Sequence, residues 1–532
     1  VLDALANTTA EPPLLRWLGA RAGWLVPVVI GLHALCWTLL PTLTNASLPL
    51  DTVEALLWGR EWQLGYDKHP PLSAWVAELA ATVGGGRDIA LYALSQACVA
   101  IGAWAMWRLA RDVVDEGRAA FSALALLVGV HYMHFTSPEF NVNVLQIPLW
   151  GLLFLLFWRA VSRNGAASML AWVGVGVCFG LAMLTKYLAA FALPPLALFA
   201  VLTPTGRRAL RTPGPYIAGV FACAIFLPHF LWMLDTDFVT LRYGMRRASG
   251  GEREWLDHLR NPAKFIGAQV MASAAALVVM FFSGAWLHRR EGGDRANVPS
   301  RDARVYIWLI AIGPVLAMAA YSLVTGARLR SMWGTSMVLA VPVLLTMLAR
   351  FDAKPSRVRG LVIAWIGLFV LALGAYFVDN AAWPRFTNDA KRTNYPGREL
   401  AITVESAWRE RVPDQPLLAV IGDEFYAGLV SWYGSERPLV YIDGTTERTF
   451  WIDDEGVRAT GAMVVWKIGM ADRPGEVDRS FFDDLRTRFP NLVELDPITL
   501  TPELRGPFGG PIDGASEILG LAIIPPADAP AQ

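Results

Sequence analysis

Apolar stretches of about 18–25 residues recur through the first 380 positions of this 532-residue chain. A stretch of that length crosses the ~30 Å hydrocarbon core of a bilayer as an α-helix. Lipid offers the backbone no hydrogen-bond partners, so a spanning segment must be a helix or part of a closed barrel. Spans fall near 22–42, 89–107, 119–134, 142–158, 168–185, 188–204, 215–233, 263–287, 305–324, 332–349 and 360–378, eleven in all. Stretch 119–134 is short and carries His131 and His134, and 168–204 reads as two spans or one re-entrant pair. Only 17% of residues are charged, against roughly 25% in soluble domains, and 54% are hydrophobic, which excludes a disordered chain.

The texture changes near residue 384. Strand-like runs 416–421, 438–442 and 462–467 alternate with amphipathic helical stretches such as 397–411 and 476–489. That rhythm predicts a small soluble α/β domain over 384–532, following a membrane domain over 1–383. The formal net charge is zero, yet it is a cancellation. Residues 1–383 carry 31 Lys+Arg and 22 Asp+Glu, whereas 384–532 carry 15 and 24. Bulk electrostatic binding of nucleic acid is not expected from such a balance.

Short loops rich in Lys and Arg face the cytoplasm. Loops 1–21, 108–118, 159–163, 207–211, 288–304 and 350–359 hold 19 Lys+Arg against 12 in the opposite loops. The first set is therefore assigned to the cytoplasm, and eleven spans then put the tail outside. Six of the 12 outer basic residues crowd into one segment, 234–264, which includes Arg242, Arg246 and Arg247. This runs against the topological trend and suits an anionic ligand, although the acids Asp235, Asp237, Glu252, Glu254 and Asp257 offer a solvated balance.

The four cysteines all fall in expected spans, so no disulfide framework or zinc ribbon is indicated. No nucleotide-binding glycine loop, metalloprotease helix or internal repeat occurs, which leaves ATP-driven transport unsupported. The sequence neither requires nor excludes a divalent metal: His69, His131, His134, Glu139 and His258 are ligand types on the outer side without a diagnostic spacing.

The first outer loop carries the most chemistry. Asp51 opens a stretch in which Val53, Leu56, Leu57, Trp62 and Leu64 recur at roughly helical spacing. It reads as an amphipathic helix on the membrane surface, with Asp51 either its N-cap or a functional acid. The turn Tyr66-Asp67-Lys68-His69-Pro70-Pro71 follows, then a second amphipathic run to Val83, so outer-face helices occupy 51–83.

An acidic residue opening such a helix, followed by a Lys/His-Pro-Pro turn, resembles the bacterial GT-C membrane glycosyltransferases of glycosyltransferase family 39. These include the lipid A aminoarabinose transferase-like proteins and are related to protein O-mannosyltransferases. Other matches follow in order: Pro138 to Leu145 in the second outer loop, Gly180 to Tyr187 as the G-L-x-x-L-T-K element, Arg328 to Gly334 as the late Arg/Trp loop, and Ile421 to Gly428 as G-D-E-x-x-A-G. The chain departs from the family in two places. Asn141 and Asn143, with Glu139 nearby, stand where an Asp is frequent, and His69 rather than Lys precedes Pro-Pro.

The resemblance implies a GT-C fold and an inverting transfer of a sugar from a polyprenyl-phosphate carrier to an acceptor hydroxyl at the outer face of the bacterial inner membrane. The acceptor would be an envelope lipid, glycan or protein. Such chemistry needs a carboxylate to take the acceptor's proton and cations to stabilise the leaving phosphate. Asp51 is the candidate base. Lys68, His69, Lys186, Arg242, Arg246, Arg247, Arg328 and Arg330 are the candidate phosphate ligands, and Glu139, Asn141 and Asn143 the candidate acceptor or second-loop residues. Competing readings are a transporter or flippase of lipid-linked sugars and a non-catalytic envelope scaffold. A flippase would carry polar residues through the bilayer midplane, whereas here the acids and bases gather at the outer surface.

Overall fold

The computed structural model describes residues 11–249, 254–287, 299–470, 480–507 and 509–527. Among them, eight helices are long and apolar enough to cross a membrane: Ala22–Thr44, Asp88–Val113, Val142–Ser162, Gly165–Thr185, Gly214–Asp235, Asp257–Phe282, Arg301–Thr325 and Arg357–Ala382. A further pair, Tyr187–Leu202 and Pro204–Leu210, bends by 101° and makes nine if it is one broken span. The chain is thus a multi-pass helical membrane protein.

Two of the eleven expected spans fold differently. Stretch 119–134 is the 12-residue helix Glu116–Leu127 followed by a 3-10 turn at Val130–Tyr132. Stretch 332–349 is a 3-10 turn at Ser331–Gly334 and a helix of 8 residues, Val341–Leu348. At 1.5 Å per residue neither helix reaches ~30 Å. Apolar content marks a segment as buried and does not reveal where its helix breaks. Within 168–204, the helix Gly165–Thr185 stops at Lys186, whose backbone is extended (φ −165°, ψ 134°).

The chain divides into two compact units, residues 1–38 with 93–373, and residues 39–92 with 374–532. The second therefore joins the first outer loop to the tail. Its sheet contains β1 (Ala419–Gly422), β2 (Leu439–Ile442), β3 (Ala462–Met470), β4 (Val493–Leu500) and β5 (Glu517–Ile524), in the order β2-β1-β3-β5-β4. The first three are parallel, with Ile421 opposite Tyr441 on one side and Val464 on the other. Strands β5 and β4 add antiparallel. Strands β1 and β2 and the first five residues of β3 are almost wholly buried, as expected for short apolar runs covered on both faces. Helices Asp454–Thr460 and Ser480–Arg488 supply Val457, Phe482 and Leu485 to the core with Trp466, Ala522 and Ile524.

The amphipathic segments of the outer loop fold as Leu50–Gly59 and Leu72–Val83. Pro49 stands at the N-cap position and makes no side-chain capping bond, so Asp51 lies inside the first turn, where a negative charge complements the helix dipole. The first helix is buried nearly all round from Thr52 to Gly59. Glycines permit this packing. A Cβ on Gly59 would come within 2.2 Å of the Ala74 carbonyl oxygen, and one on Gly428 within 2.5 Å of Val53 Cγ1. Gly428 belongs to the helix Tyr426–Tyr433, so the tail covers a face that composition alone assigned to the membrane surface.

Candidate active site

Around Lys68, the outer loop and the tail meet through charge. The Lys68 ammonium donates to Glu54 Oε1 at 2.6 Å and also to Glu424. Arg448 donates to the same Glu424, to Asp67 at 3.1 Å and to Asp443. Local structure sets these positions. Asp423 accepts backbone N–H bonds from Phe425 and Tyr426 at 2.8 and 2.7 Å, a side-chain turn that leads into the helix that follows and fixes Glu424 beside it. Trp58 stacks on Tyr66 at 5.3 Å, Trp451 meets Tyr66 edge-on at 5.8 Å, and His69 lies edge-on to Trp58 at 6.2 Å.

Two cations here serve four carboxylates, with Asp51 a fifth acid close enough to act on Glu54. Burial raises the Glu54 pKa to about 8, and the charges of Asp51 and Glu424 add to that, against the pull of Lys68. Burial also opposes charge on Lys68, but Glu54 and Glu424 hold it above its ordinary value. Burial would raise Glu424 too, yet Arg448 and Lys68 bring it down to about 2. Glu424 is thus a fixed anion between two cations, and Glu54 holds a proton near neutrality. Asp51, half-buried one turn earlier, is the more accessible acid of this helix.

A second group lies in the other unit. Lys186, in the break after Gly165–Thr185, donates to Asn143 Oδ1 at 2.8 Å and sits 5.1 Å from the centre of the Trp333 ring. Three of the separate sequence motifs thereby converge. Asn141 caps the helix Val142–Ser162 by accepting from the backbone of Asn143 and Val144, and half-buried Glu139 adjoins it, its carbonyl 3.5 Å from Asn141 Nδ2. His131 is buried and bonded to Gln269 at 3.0 Å and Thr136 at 3.1 Å. Among the described residues no three His, Cys, Asp or Glu side chains gather as a metal-binding group.

The third group is a cavity of about 640 Å³ in the same unit. Arg246, Arg247, Arg260, Lys264, Arg328 and Arg330 line it with one acid, Asp257. Helix Val239–Ser249 is joined to the late loop where Arg328 N donates to the Ala248 carbonyl at 3.1 Å. Asn261 Nδ2 donates to the Gly326 carbonyl at 2.9 Å, and Gly326 ends its helix in the left-handed conformation (φ 68°). Among the described residues none of the six cations has an ion-pair partner. Arg242 does not line the cavity: it pairs with Asp237 at 2.5 Å on an exposed surface. Arg253, in the same segment, lies outside the described residues.

Sequence alone does not single out Glu54, Asp67, Asp443 or Arg448, whereas the tail pair Asp423-Glu424 reads as an acceptor or metal group or as a solvated loop. Glu424 had one usable signal, its place in the G-D-E-x-x-A-G stretch. Arg260 and Lys264 had another, the unexplained basic surplus of 234–264.

Residues 68–232 match the family model for dolichyl-phosphate-mannose-protein mannosyltransferase. The lipid A galacturonosyltransferase RgtD of Rhizobium johnstonii is 24% identical over 350 residues, covering 66% of this chain and 70% of that protein. An undecaprenyl phosphate-α-4-amino-4-deoxy-L-arabinose arabinosyl transferase of Pseudomonas savastanoi is 28% identical over 199 residues, 37% of this chain and 35% of that one. In fold, the chain is similar to ArnT from Cupriavidus metallidurans bound to undecaprenyl phosphate, with a TM-score of 0.62 at 13% identity, covering 96% of this chain and 99% of the other. The chain is a polytopic membrane glycosyltransferase of the GT-C type. Within that class it is aminoarabinose transferase-like.

Proposed function

We propose that the chain transfers a sugar, with inversion, from a polyprenyl-phosphate carrier to a hydroxyl of an envelope molecule at the outer face of the bacterial inner membrane. The observation that carries this reading is the cavity lined by six cations and one acid. A carrier phosphate supplies the negative charge such a cavity lacks. As the acceptor oxygen attacks the anomeric carbon, the sugar–phosphate C–O bond breaks and the phosphate gains a full negative charge. Cations that favour the doubly charged product lower the barrier. Asp51 takes the acceptor's proton, and Lys68, His69 and Lys186 assist in orienting the polar substrates. The names of the relatives favour an undecaprenyl-phosphate sugar as donor and a lipid of the lipid A type as acceptor.

Packing within the second unit supports an extracytoplasmic tail. The loop after the first span bonds directly to tail residues, as in Ser47 Oγ to the Tyr395 carbonyl at 2.6 Å and Arg437 to Glu78 at 2.8 and 2.9 Å. Loop and tail therefore share one side of the membrane, which requires an even number of crossings between them. The Lys/Arg-rich segments 1–21 and 108–118 flank the two spans that bracket this loop. With the Lys/Arg-rich loops in the cytoplasm, that shared side is the outer one.

The test is mass spectrometry of envelope lipids and glycans from cells with and without the chain, repeated with Asp51→Asn. Loss of one glycosyl modification in both strains, at normal protein level, is the expected result. An unchanged profile refutes the reading. Transfer by purified protein in detergent, where no membrane separates donor from acceptor, distinguishes an enzyme from a flippase.

A further inference from the structure

A second basic cavity lies at the other end of the helices. Its volume is about 840 Å³, and it is bounded by the C-terminal end of Val142–Ser162, the N-terminal end of Gly165–Thr185, the short helix Pro204–Leu210 and the N-terminal end of Arg301–Thr325. Those long helices run 21, 21 and 25 residues. At 1.5 Å per residue the cavity stands about 30–37 Å from Lys186 and Arg328, on the opposite membrane face.

Three arginines line it, Arg163, Arg208 and Arg301, with Trp158 and Trp172 among the apolar wall residues. Among the described residues the guanidinium groups of Arg163 and Arg301 have no partner, and Arg208 donates only to Thr205 Oγ1, at 3.3 Å. Asp302 is the one acid in the lining, and it already accepts from the Thr205 backbone N–H at 3.3 Å. Asn164 makes no capping bond, so the first-turn N–H groups of Gly165–Thr185 add positive potential at the same place.

We infer that this cavity binds the phosphate headgroup of an anionic phospholipid in the cytoplasmic leaflet. Guanidinium forks match phosphate oxygens, and the tryptophans suit the headgroup level. A lipid fits better than a soluble phosphate ester because apolar side chains continue from the cavity. Leu170, next to the lining residue Met169, is 73% exposed, and Leu202, at the end of the helix just before the lining helix Pro204–Leu210, is 61% exposed. Acyl chains can run along that surface while the phosphate sits among the arginines. The loops on this face are those with the Lys/Arg excess, where anionic leaflet lipids gather.

The test uses the full chain in detergent, titrated with phosphatidylglycerol or phosphatidylcholine and read by native mass spectrometry. Phosphatidylglycerol should bind and phosphatidylcholine should not. The double substitution Arg163→Gln/Arg301→Gln should weaken phosphatidylglycerol roughly thirtyfold, from the usual contribution of two surface cations. Arg163→Lys/Arg301→Lys should retain most of the affinity, and Arg163→Gln alone gives an intermediate loss if the double variant folds poorly. Inorganic phosphate and glycerol 3-phosphate form a second arm. Equal affinity for these soluble phosphates overturns the lipid assignment. Equal retention of phosphatidylglycerol by wild type and the Gln variants, or of both lipids by wild type, overturns the site.

Discussion

Glu424→Gln keeps the shape of the side chain and removes the charge that joins Lys68 to Arg448. Burial works against this carboxylate, yet Arg448 and Lys68 lower its pKa to about 2. Against an ordinary value near 4.5, at about 1.4 kcal/mol per unit, the balance of the two cations over burial is roughly 3 kcal/mol. Part of that is recovered in the variant, because Lys68 keeps Glu54 at 2.6 Å and Arg448 keeps Asp67 at 3.1 Å. A net cost of about 2 kcal/mol remains, below the usual penalty for orphaning a buried charge. For a unit of this size that is a fall of about 4–8 °C in melting temperature. The pH dependence has a definite sign. A depressed carboxylate contributes fully above its unfolded pKa, so the gap between wild type and variant should be constant above about pH 5 and close as pH falls toward 2. Scanning calorimetry or tryptophan fluorescence on nanodisc-embedded protein measures the gap, and Glu424→Gln/Arg448→Met completes a double-mutant cycle. A shift under about 1 °C with additive effects, within ~0.5 kcal/mol, would mean that the network is solvent-screened, and the reasoning fails.

Glu54 behaves oppositely: its raised pKa of about 8 means the folded state binds a proton the unfolded state has released. Stability should decline as pH rises from about 4.5 to 8, and Glu54→Gln should flatten that slope in a melting series. Gly428→Val puts a side chain where Val53 Cγ1 stands 2.5 Å from the first added carbon, so a loss of about 1–3 kcal/mol is expected in the same assay. Gly428→Ala, with no further atoms, should cost less. Arg330→Ala should lower transfer about ten- to a hundredfold by removing a charge-assisted phosphate contact, whereas Arg242→Ala, already paired with Asp237 on the surface, should leave it near wild type. Steady-state kinetics with a polyprenyl-phosphate sugar reads both.

Local pattern made much of the architecture legible. The parallel strands appear as short apolar runs, and 416–421, 438–442 and 462–467 contain or adjoin Ala419–Gly422, Leu439–Ile442 and Ala462–Met470. Strand Glu517–Ile524 is also an apolar run, whereas Val493–Leu500 gives no such signal. It interleaves Glu494, Asp496 and Pro497 with its apolar residues because only part of it is covered. Hydropathy likewise could not separate a span from Glu116–Leu127, whose residues are buried by protein in the way a span's are covered by lipid.

The candidate site divides along the same line. Lys68, Lys186 and the basic surplus of 234–264 are visible because each breaks its local pattern: a cation beside Pro-Pro, a cation ending an apolar helix, and six cations crowded into one loop. Their partners are not. Lys68 and Glu424 lie 356 residues apart, and Asp67 and Arg448 lie 381 apart. An ordinary acid in a tail that carries 24 Asp+Glu has no local mark to distinguish it. The structure supplies that mark by burying Glu54 and Asp67 to less than a tenth of their exposed area. A buried acid must find a cation or keep its proton. With two cations among five acids, both outcomes occur: Glu424 becomes a permanent anion and Glu54 retains a proton. That division follows from the joining of the first outer loop to the tail. A chain cut near residue 384 would leave Lys68 with Glu54 alone, and Arg448 would lose Asp67. Truncation should therefore disturb the outer loop itself, which makes the tail part of the site's construction.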